Sequence, residues 1–214
     1  MTTNILTAIA CIGLGYLAGS LPFGLWLGRW LRGVDVRTLG SGNLGATNVY
    51  RSLGPGIGIA TLLLDVSKGA LPVALLPEAP FAQRFPGGHE WCAVAVALAA
   101  VCGHVWTFLA GFRGGKGVAT TAGALLALSP PAFGVFLAVF AATLLLTRFV
   151  SLGSILGAIA FTLALWRFGP DGAANPRFLA GALLAIVVIA RHRGNVARLL
   201  RGEERRFEFK RGGS

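Results

Sequence analysis

Charged residues are scarce in this sequence. They make up 13% of its 214 residues, roughly half the fraction that is usual in a soluble globular domain, whereas 55% of the residues are hydrophobic. The charges are too few to cover the surface of a water-soluble domain, and so much apolar surface would collapse rather than stay disordered. The three cysteines all lie inside apolar stretches, which argues against a disulfide scaffold. The composition therefore predicts an integral membrane protein.

Acidic residues are scarcer still. Eight Asp and Glu stand against 19 Lys and Arg, which leaves a net charge of +11. The basic residues flank apolar runs instead of forming one soluble basic module, and this excludes a soluble nucleic-acid-binding protein. The lipid bilayer is the partner that this pattern predicts, and no nucleic acid is expected.

Seven apolar runs are candidates for transmembrane helices, each of which needs about 20 apolar residues to cross a bilayer. They cover residues 5–27, 55–76, 91–110, 118–128, 132–147, 152–168 and 178–190. The run 118–128 is short, and Ser129-Pro130-Pro131 separates it from the next run, so it is either a span or a re-entrant segment. If the two runs between Gly117 and Thr147 stay off the bilayer or pair as a hairpin, five spans remain and the sidedness of the termini is unchanged.

The basic residues predict the sidedness. Seven spans put 15 of the 19 Lys and Arg on one side, with only Arg84, Arg167 and Arg177 on the other and Lys68 inside a span. Lysine and arginine prefer cytoplasmic loops. We therefore predict an all-α bundle of about seven transmembrane helices, with the N-terminus outside and the C-terminus cytoplasmic. Residues 1–214 are expected to form a single domain with a short, frayed basic tail at about 202–214.

Three polar segments fall on the predicted inner side. The first is Gly40-Ser41-Gly42-Asn43-Leu44-Gly45-Ala46-Thr47-Asn48, followed by Arg51. Its glycines permit positive φ and expose backbone N–H groups, and the guanidinium of Arg51 suits phosphate. The pattern favours an anion site. The alternative is a polar turn between two helices, with Thr47 or Asn48 as the N-cap of the second.

The second segment is Gly111-Phe112-Arg113-Gly114-Gly115-Lys116-Gly117-Val118-Ala119-Thr120. Four glycines and two cations lead directly into an apolar helix, so the loop can direct N–H groups and a helix N-terminus at an anion. Lys116 comes one residue too early for a Walker A motif, and Gly117 stands where that motif has Ser or Thr, which disfavours an NTPase. The alternative is a flexible loop that carries positive-inside charges.

The third segment runs from Arg191 to Arg201. His192 and Asn195 share a helix face if the helix continues, with Arg198 one turn further. Both an interfacial and a catalytic role stay open for His192. Asp65 and Lys68, inside the second span, are three residues apart and can pair, so structure explains them as well as function does, and the role of His104 is undecided.

These segments resemble the three motifs of the PlsY family, bacterial membrane glycerol-3-phosphate acyltransferases that use acyl phosphate. Residues 40–51 are similar to the first motif, 111–120 to the second with Arg113 where Lys is common, and 192–199 to the third, where Gly194 replaces the usual Glu. The resemblance covers nearly the whole chain. It implies a seven-helix fold and the conversion of acyl phosphate and glycerol 3-phosphate into 1-acylglycerol 3-phosphate (lysophosphatidic acid) and phosphate. This would be the first acylation step of phospholipid synthesis, on the cytoplasmic side of the bacterial inner membrane.

We assign roles in this reaction by the chemistry of the side chains. Lys116 and Arg51 neutralise phosphate groups, and the amides of residues 114–117 cradle one of them. Ser41 and Asn43 orient the acceptor or stabilise the oxyanion. His192, held by Asn195, is the candidate base, unless a substrate phosphate takes the proton and leaves His192 a positional role. The predicted catalytic residues are Ser41, Lys116, His192 and Asn195, and the predicted substrate-binding residues are Gly40, Gly42, Asn43, Thr47, Asn48, Arg51, Arg113, Gly114, Gly115 and Gly117.

The sequence suggests no metal, no cofactor and no obligate protein partner. Two other classes of function stay open. A small transporter or channel for a phosphorylated solute would use intramembrane residues such as Asp65 and Lys68. The weaker alternative is a non-catalytic lipid-binding scaffold. Both predict that the purified protein does not transfer an acyl group from acyl phosphate.

Overall fold

The computed structural model describes residues 2–169 and 175–208, and this part of the chain contains ten α-helices and no β-strand. The all-α prediction is therefore confirmed. The helices are α1 (Thr2–Gly19), α2 (Phe23–Arg32), α3 (Ala46–Leu53), α4 (Pro55–Leu75), α5 (Gly88–Val105), α6 (Val118–Leu128), α7 (Pro130–Thr147), α8 (Val150–Phe168), α9 (Pro176–Arg191) and α10 (Arg193–Leu200).

The chain is divided into two compact units, and each is described by itself. The first, Met1–Leu128, contains α1 to α6, and the second, Ser129–Ser214, contains α7 to α10. The single domain over residues 1–214 stays a prediction.

Five stretches of the described residues are long and apolar enough to cross a membrane: Thr3–Arg32, Pro55–Leu75, Gly88–Ala110, Pro130–Thr147 and Val150–Phe168. The pair α9 and α10 passes the same test but is bent by 58°, so it is a sixth span or a re-entrant segment. Helix α6 has 11 residues, about 16 Å of helix, which is short of the ~30 Å hydrocarbon core. Apolar membrane helices are thus confirmed, whereas seven spans and an outward N-terminus stay predictions.

Glycines let the helices of the first unit approach closely. A Cβ atom on Gly19 of α1 would collide with the carbonyl oxygen of Ala100 in α5. Helices α4 and α6 cross in the same way, since a Cβ atom on Gly123 would collide with the carbonyl oxygen of Val66. In lipid, such close backbone contact supplies the packing energy that the hydrophobic effect supplies in water.

The first candidate span is broken between α1 and α2, at Ser20, Leu21 and Pro22. Proline has no N–H group, so the helical hydrogen-bond ladder is interrupted there. Two side chains donate to carbonyls at the break: Thr107 Oγ1, just after α5, donates to that of Ser20 (2.5 Å), and Lys68 Nζ of α4 donates to that of Leu21 (2.7 Å), which also accepts the N–H of Phe23 (3.1 Å). Because an unpaired carbonyl is costly in hydrocarbon, these bonds contribute to making the break tolerable within the membrane.

In the second unit, α7 packs along α8, where Phe136 and Phe140 lie against Gly157 and Gly153. Helix α9 packs on α8, and Phe161 of α8 is fully buried. These contacts hold the helix from which the third motif emerges.

The chain after α10 is anchored. The N–H of Glu203 donates to the carbonyl of Arg198 (2.8 Å), and the N–H of Phe207 donates to that of Arg148 (2.6 Å). The prediction of a frayed tail is therefore wrong for this part of it, and the rest of the predicted tail, 209–214, lies outside the described residues. Backbone hydrogen bonds to distant carbonyls leave no signal in the sequence.

Candidate active site

Asn48, in the first turn of α3, holds the first glycine-rich loop in shape. Its buried side chain accepts a hydrogen bond from the N–H of Ser41 (2.9 Å), and its Nδ2 donates to three carbonyls, those of Val36, Leu39 and Asn43. Gly40 and Gly42 have φ of +55° and +69°, and a Cβ atom on Gly40 would collide with Oδ1 of Asn48. Both ends of the Asn48 amide are thus engaged with this segment and shape the loop, and the contact of Asn48 with substrate stays a prediction.

Helix α3 begins at Ala46, and Gly45 is its N-cap. Neither Thr47 nor Asn48 caps the helix, so the capping alternative is wrong. The N–H of Gly45 donates to Oδ1 of Asn43 (2.8 Å), which leaves Nδ2 of Asn43 as the end of that amide able to face a substrate. Polar side chains of this segment that solvent reaches include Ser41, Thr47 and Arg51, and the last two share one face of α3.

A carboxylate that was not predicted anchors the chain just before this loop. Asp35 pairs with Arg37 (2.6 Å) and with Arg29 (2.9 Å), and it also accepts the N–H of Arg37 (3.0 Å). The Arg37 side chain, more than any other group, holds the pKa of Asp35 well below its usual range. Two arginines within six residues of one aspartate are the sequence signal that would have found this cluster.

The second glycine-rich loop packs against the end of α5. The N–H of Gly114 donates to the carbonyl of Val105 and that of Gly115 to the carbonyl of His104, each at 3.1 Å. A Cβ atom on Gly114 would collide with the His104 carbonyl, and one on Gly115 would collide with the His104 ring. The N–H groups of Gly114 and Gly115 are thus bonded to carbonyls of the protein, and the amide cradle for phosphate at residues 114–117 stays a prediction. These glycines are needed for close packing.

The rest of this loop supplies its cations and leads into α6. Gly117, with φ of +83°, turns the chain into the helix, which begins at Val118 as predicted. The side chain of Lys116 is half-buried and that of Arg113 is exposed. The parts of the loop suited to an anion are thus the Lys116 side chain and the N-terminus of α6.

A buried charge cluster lies in the same unit. Lys68 Nζ is 2.7 Å from Oδ1 of Asp65, and Nδ1 of His104 is 3.7 Å from the same oxygen. The side chains of Lys68 and Asp65 are only 4% and 2% exposed, a depth at which an unpaired charge is costly. The pairing of Asp65 with Lys68 that the sequence allowed is present, and His104, whose role was undecided, belongs to this cluster.

One pocket of the first unit connects this cluster with both loops. It is lined by Pro22, Phe23, Gly24, Leu44, Asp65, Lys68, His104, Thr107 and Gly115. Leu44 belongs to the first loop and Gly115 to the second, so the fold brings these two motifs together. Among residues 2–169 and 175–208, no group of three or more His, Cys, Asp or Glu side chains is arranged to hold a metal ion.

His192 lies in the second unit, at the bend between α9 and α10. Its ring is buried, and Nδ1 is 2.7 Å from the carbonyl oxygen of Val188. Because a carbonyl can only accept, Nδ1 carries a proton, and in the neutral ring the lone pair is on Nε2. Nε2 is therefore the nitrogen that can take a proton from a substrate.

Asn195 is tied to a carboxylate in the anchored tail. Its Nδ2 donates to Oε1 of Glu204 (2.6 Å), Ser151 Oγ donates to the same oxygen (2.7 Å), and Arg198 Nε donates to Oε2 (2.8 Å). Burial by itself would raise the pKa of Glu204, but the three hydrogen bonds outweigh it and hold this pKa below its ordinary value. Asn195 thus connects the third motif to the tail.

Sequence reasoning missed Ser151 and Glu204. Glu204 lies among arginines in a segment whose composition is typical of a solvated tail, and Ser151 is one serine in an apolar helix. Neither residue therefore stands out in the local sequence as part of a site. Gly194 is exposed, and the atom nearest to a Cβ there is Nη1 of Arg198 at 3.7 Å, so a Cβ atom meets no clash at this position. The grouping of His192 and Asn195 with the two loops of the first unit stays a prediction.

Comparison with known proteins identifies relatives over nearly the whole chain. Residues 9–202 match the family model described as glycerol-3-phosphate acyltransferase. Relatives of that name include those of Desulforudis audaxviator (43% identical, 97% of this chain and 100% of the relative), Geobacter sulfurreducens (46%, 95% and 97%) and Myxococcus xanthus (48%, 92% and 98%).

Two crystal structures are also similar. They are the glycerol 3-phosphate form and the lysophosphatidic acid form of PlsY (YgiH), an integral membrane glycerol 3-phosphate acyltransferase. The TM-scores are 0.84 and 0.82, and each structure is 36% identical in sequence and covers 94% of this chain. The matches cover 96% and 95% of the two solved chains.

Proposed function

The chain belongs to the glycerol-3-phosphate acyltransferase family, and we propose that its acyl donor is an acyl phosphate. It is an acyltransferase of phospholipid biosynthesis that acylates glycerol 3-phosphate to lysophosphatidic acid. With an acyl phosphate as donor, the second product is inorganic phosphate. The observation that carries this proposal is that the two glycine-rich loops, which bring Arg51 and Lys116, approach each other at Leu44 and Gly115.

Two loops, each with a cation, suit a reaction in which two phosphate groups take part. Arg51 follows the first loop and Lys116 stands in the second, so the acceptor and the donor can each be bound by one cation. A hydrogen bond to a charged group contributes about 1.5–3 kcal/mol. Because an acyl phosphate is already activated, the protein has mainly to orient the reactants and stabilise the developing charge.

The proposed reaction is a direct acyl transfer. The hydroxyl oxygen of glycerol 3-phosphate attacks the carbonyl carbon of the acyl phosphate, and the bond from this carbon to the phosphate oxygen breaks. Phosphate leaves with the electron pair of that bond. Ser41 and Nδ2 of Asn43 orient the hydroxyl or donate to the oxyanion, and His192 and Asn195 complete the site.

The hydroxyl proton has two possible acceptors. Nε2 of His192 is one, and a substrate phosphate, whose second pKa is about 6 by analogy with phosphorylated side chains, is the other. If His192 is the base, the acidic limb of the pH dependence of kcat/KM disappears in the His192→Gln variant. If a substrate phosphate is the base, the limb persists at a lower rate.

We propose the cytoplasmic face of the bacterial inner membrane as the place of the reaction. The predicted topology puts all three motifs on the side that carries 15 of the 19 Lys and Arg residues. Soluble glycerol 3-phosphate then enters from the cytoplasm, while the acyl chain stays among the helices or against lipid.

The test is acyl transfer by the purified protein in detergent. Palmitoyl phosphate and radiolabelled glycerol 3-phosphate are supplied with a chelator of divalent metals, and acyl-CoA is run as a parallel donor. Labelled lysophosphatidic acid from acyl phosphate alone is the expected result. Product from acyl-CoA alone would show that acyl-CoA, and not acyl phosphate, is the donor. The absence of product with any donor, from folded protein, would overturn the proposal.

Lys116 provides the matched variant for this assay. Lys116→Ala removes one charge-assisted contact, which lowers the rate by about one to two decades if the contact strengthens in the transition state. Arg84→Ala removes an exposed cation on the predicted outer side and serves as the control. Equal rates of acyl transfer in folded Lys116→Ala and wild type would show that Lys116 does not bind a substrate phosphate.

A further inference from the structure

Helix α4 contacts both ends of the second glycine-rich loop. At the entrance, Asp65 of α4 lies 3.7 Å from Nδ1 of His104, whose ring and carbonyl receive Gly115. At the exit, α4 and α6 cross so closely that a Cβ atom on Gly69 would collide with the carbonyl of Thr120. The position of α4 therefore determines where the loop between α5 and α6 begins and ends.

Lys68 connects the same helix to the break between α1 and α2. Its Nζ is 2.7 Å from Asp65 and donates to the carbonyl of Leu21, also at 2.7 Å, and it lies 5.6 Å from the centre of the Phe23 ring. Helix α2, which starts at Phe23, in turn packs against the first loop, because a Cβ atom on Gly24 would collide with the carbonyl of Leu44. The ammonium group of Lys68 thus joins α4, which packs against the second loop, to the start of α2, which packs against the first loop.

We infer that Lys68 and Asp65 are positioning residues that set the geometry of the second loop and hence of Lys116. A buried ion pair is a poor source of stability, since well-packed uncharged residues of similar volume often stabilise a protein as well or better. The bonds of this pair are, however, directional, and they connect α4 to His104 and to the α1–α2 break. The role assigned to the pair is therefore the orientation of the loop, and it rests on the proposed function only through Lys116.

The test separates positioning from folding. Lys68→Met and the double variant Asp65→Asn/Lys68→Met are compared with Ser67→Ala, a control on the same helix whose exposed hydroxyl bonds only to Leu63 of its own helix. Thermal unfolding in detergent and kcat/KM for acyl transfer are measured for each. We expect a loss of kcat/KM on the order of 10- to 100-fold in both Lys68 variants, and the double variant, which leaves no unpaired charge, should unfold closer to the wild-type temperature than Lys68→Met does. Activity within about twofold of wild type in folded Lys68→Met would overturn the inference.

A double-mutant cycle with Lys116→Ala then asks whether Lys68 acts through the loop. If it does, adding Lys116→Ala to Lys68→Met costs less than about threefold more, because Lys116 is already displaced. Losses that multiply would show two independent effects and overturn the inference. Lys68→Arg keeps the charge, and its cycle with Lys116→Ala decides the question if Lys68→Met does not fold.

A binding measurement tests the inference without assuming which acyl donor the protein uses. Glycerol 3-phosphate is titrated into the wild type, Lys68→Met and Ser67→Ala by calorimetry, without any acyl donor. Weaker binding in Lys68→Met alone supports the positioning role even if acyl phosphate is not the substrate. Equal affinity in all three proteins, together with multiplicative kinetic losses, contradicts it.

Discussion

The two glycine-rich loops of the first unit and the third motif of the second unit are stabilised by different kinds of contact. The direct contacts of the loops are neutral amide bonds and glycine packing, as at Asn48 and Gly114, and the charged pair of Asp65 and Lys68 reaches the second loop only through His104. The third motif is held by one carboxylate, Glu204, which accepts from three side chains. Amide contacts do not titrate, whereas a carboxylate does. The comparison therefore predicts that substitutions that add volume damage the loops, and that loss of charge damages the third motif.

The largest effect is expected for Gly114→Ala. The added Cβ collides with the backbone carbonyl of His104, which no side-chain rotation relieves, so the variant should lose about 3 kcal/mol of stability or more and nearly all activity. Thermal unfolding and acyl transfer are measured beside Gly56→Ala, where a Cβ meets open space. Equal unfolding temperatures for the two variants would contradict the packing role of Gly114.

Asn48→Ala is the next test, because it removes neutral contacts without adding volume. The N–H of Ser41 and the carbonyl of Asn43 lose their partner, whereas the carbonyls of Val36 and Leu39 each keep a backbone N–H, and each buried polar group left unsatisfied costs about 1–3 kcal/mol. Asn43→Ala, which removes the single bond to Gly45, should cost about 1 kcal/mol. Chemical unfolding ranks the two variants, and a larger loss for Asn43→Ala would contradict the role of Asn48 in shaping the loop.

Glu204→Gln tests the charged half of the comparison. Removal of the charge weakens the bond from Arg198 and places an amide group among donors, so the variant should lose about 1.5 kcal/mol at neutral pH. The pKa of Glu204 is lowered in the folded protein, so its stabilising effect is complete above its unfolded pKa, about 4.3, and disappears as the pH falls through the folded pKa. The stability difference between wild type and variant, followed by thermal unfolding from pH 6 downward, should therefore shrink below about pH 4.3. If the stability difference stays constant across this pH range, the loss of stability in Glu204→Gln comes from the changed shape of the side chain and not from its charge.

The smallest effect is expected for Gly194→Ala, and it is stabilising. Gly194 lies in the first turn of α10, its Cβ would meet open space apart from Arg198, and alanine favours a helix over glycine by about 0.5–1 kcal/mol. A slightly higher unfolding temperature with unchanged kcat/KM is the expected result. A lower unfolding temperature would show that the third motif needs the flexibility of glycine at this position.

The helices and the motifs could be predicted because their signals are local. The apolar stretches around α4, α5 and α8 are long enough to be recognised from composition alone, and the start of α6 after Gly117 follows from the end of the glycine run. The resemblance of residues 40–51 to a known family motif is confirmed by the match of the family model. The run before Leu128 was harder to interpret, since an apolar pattern of 11 residues does not distinguish a span from a re-entrant helix.

The contacts that individual residues make within the protein were predicted less well. Asn48, Gly114 and Gly115 are expected at the substrate, and this stays a prediction. The pairing of their polar groups with carbonyls of the first segment and of α5 could not be foreseen, because no local pattern shows where those carbonyls point. Glu204 was overlooked because charges in a polar tail are normally solvated. In each case the missing information was which group, of the backbone or of another side chain, lies within hydrogen-bond distance.

By itself, the sequence determined that this protein is an α-helical membrane protein with three polar motifs, and which family it belongs to. Composition, hydropathy and motif spacing are properties of the chain that no packing can alter. The tertiary structure alone decided that Lys68 binds the carbonyl of Leu21, that Gly115 lies on the ring of His104, and that Glu204 receives Asn195. The physical reason is that each contact depends on the angle and distance at which two helices or a helix and a loop pack, and these follow from the close approach of many residues at once.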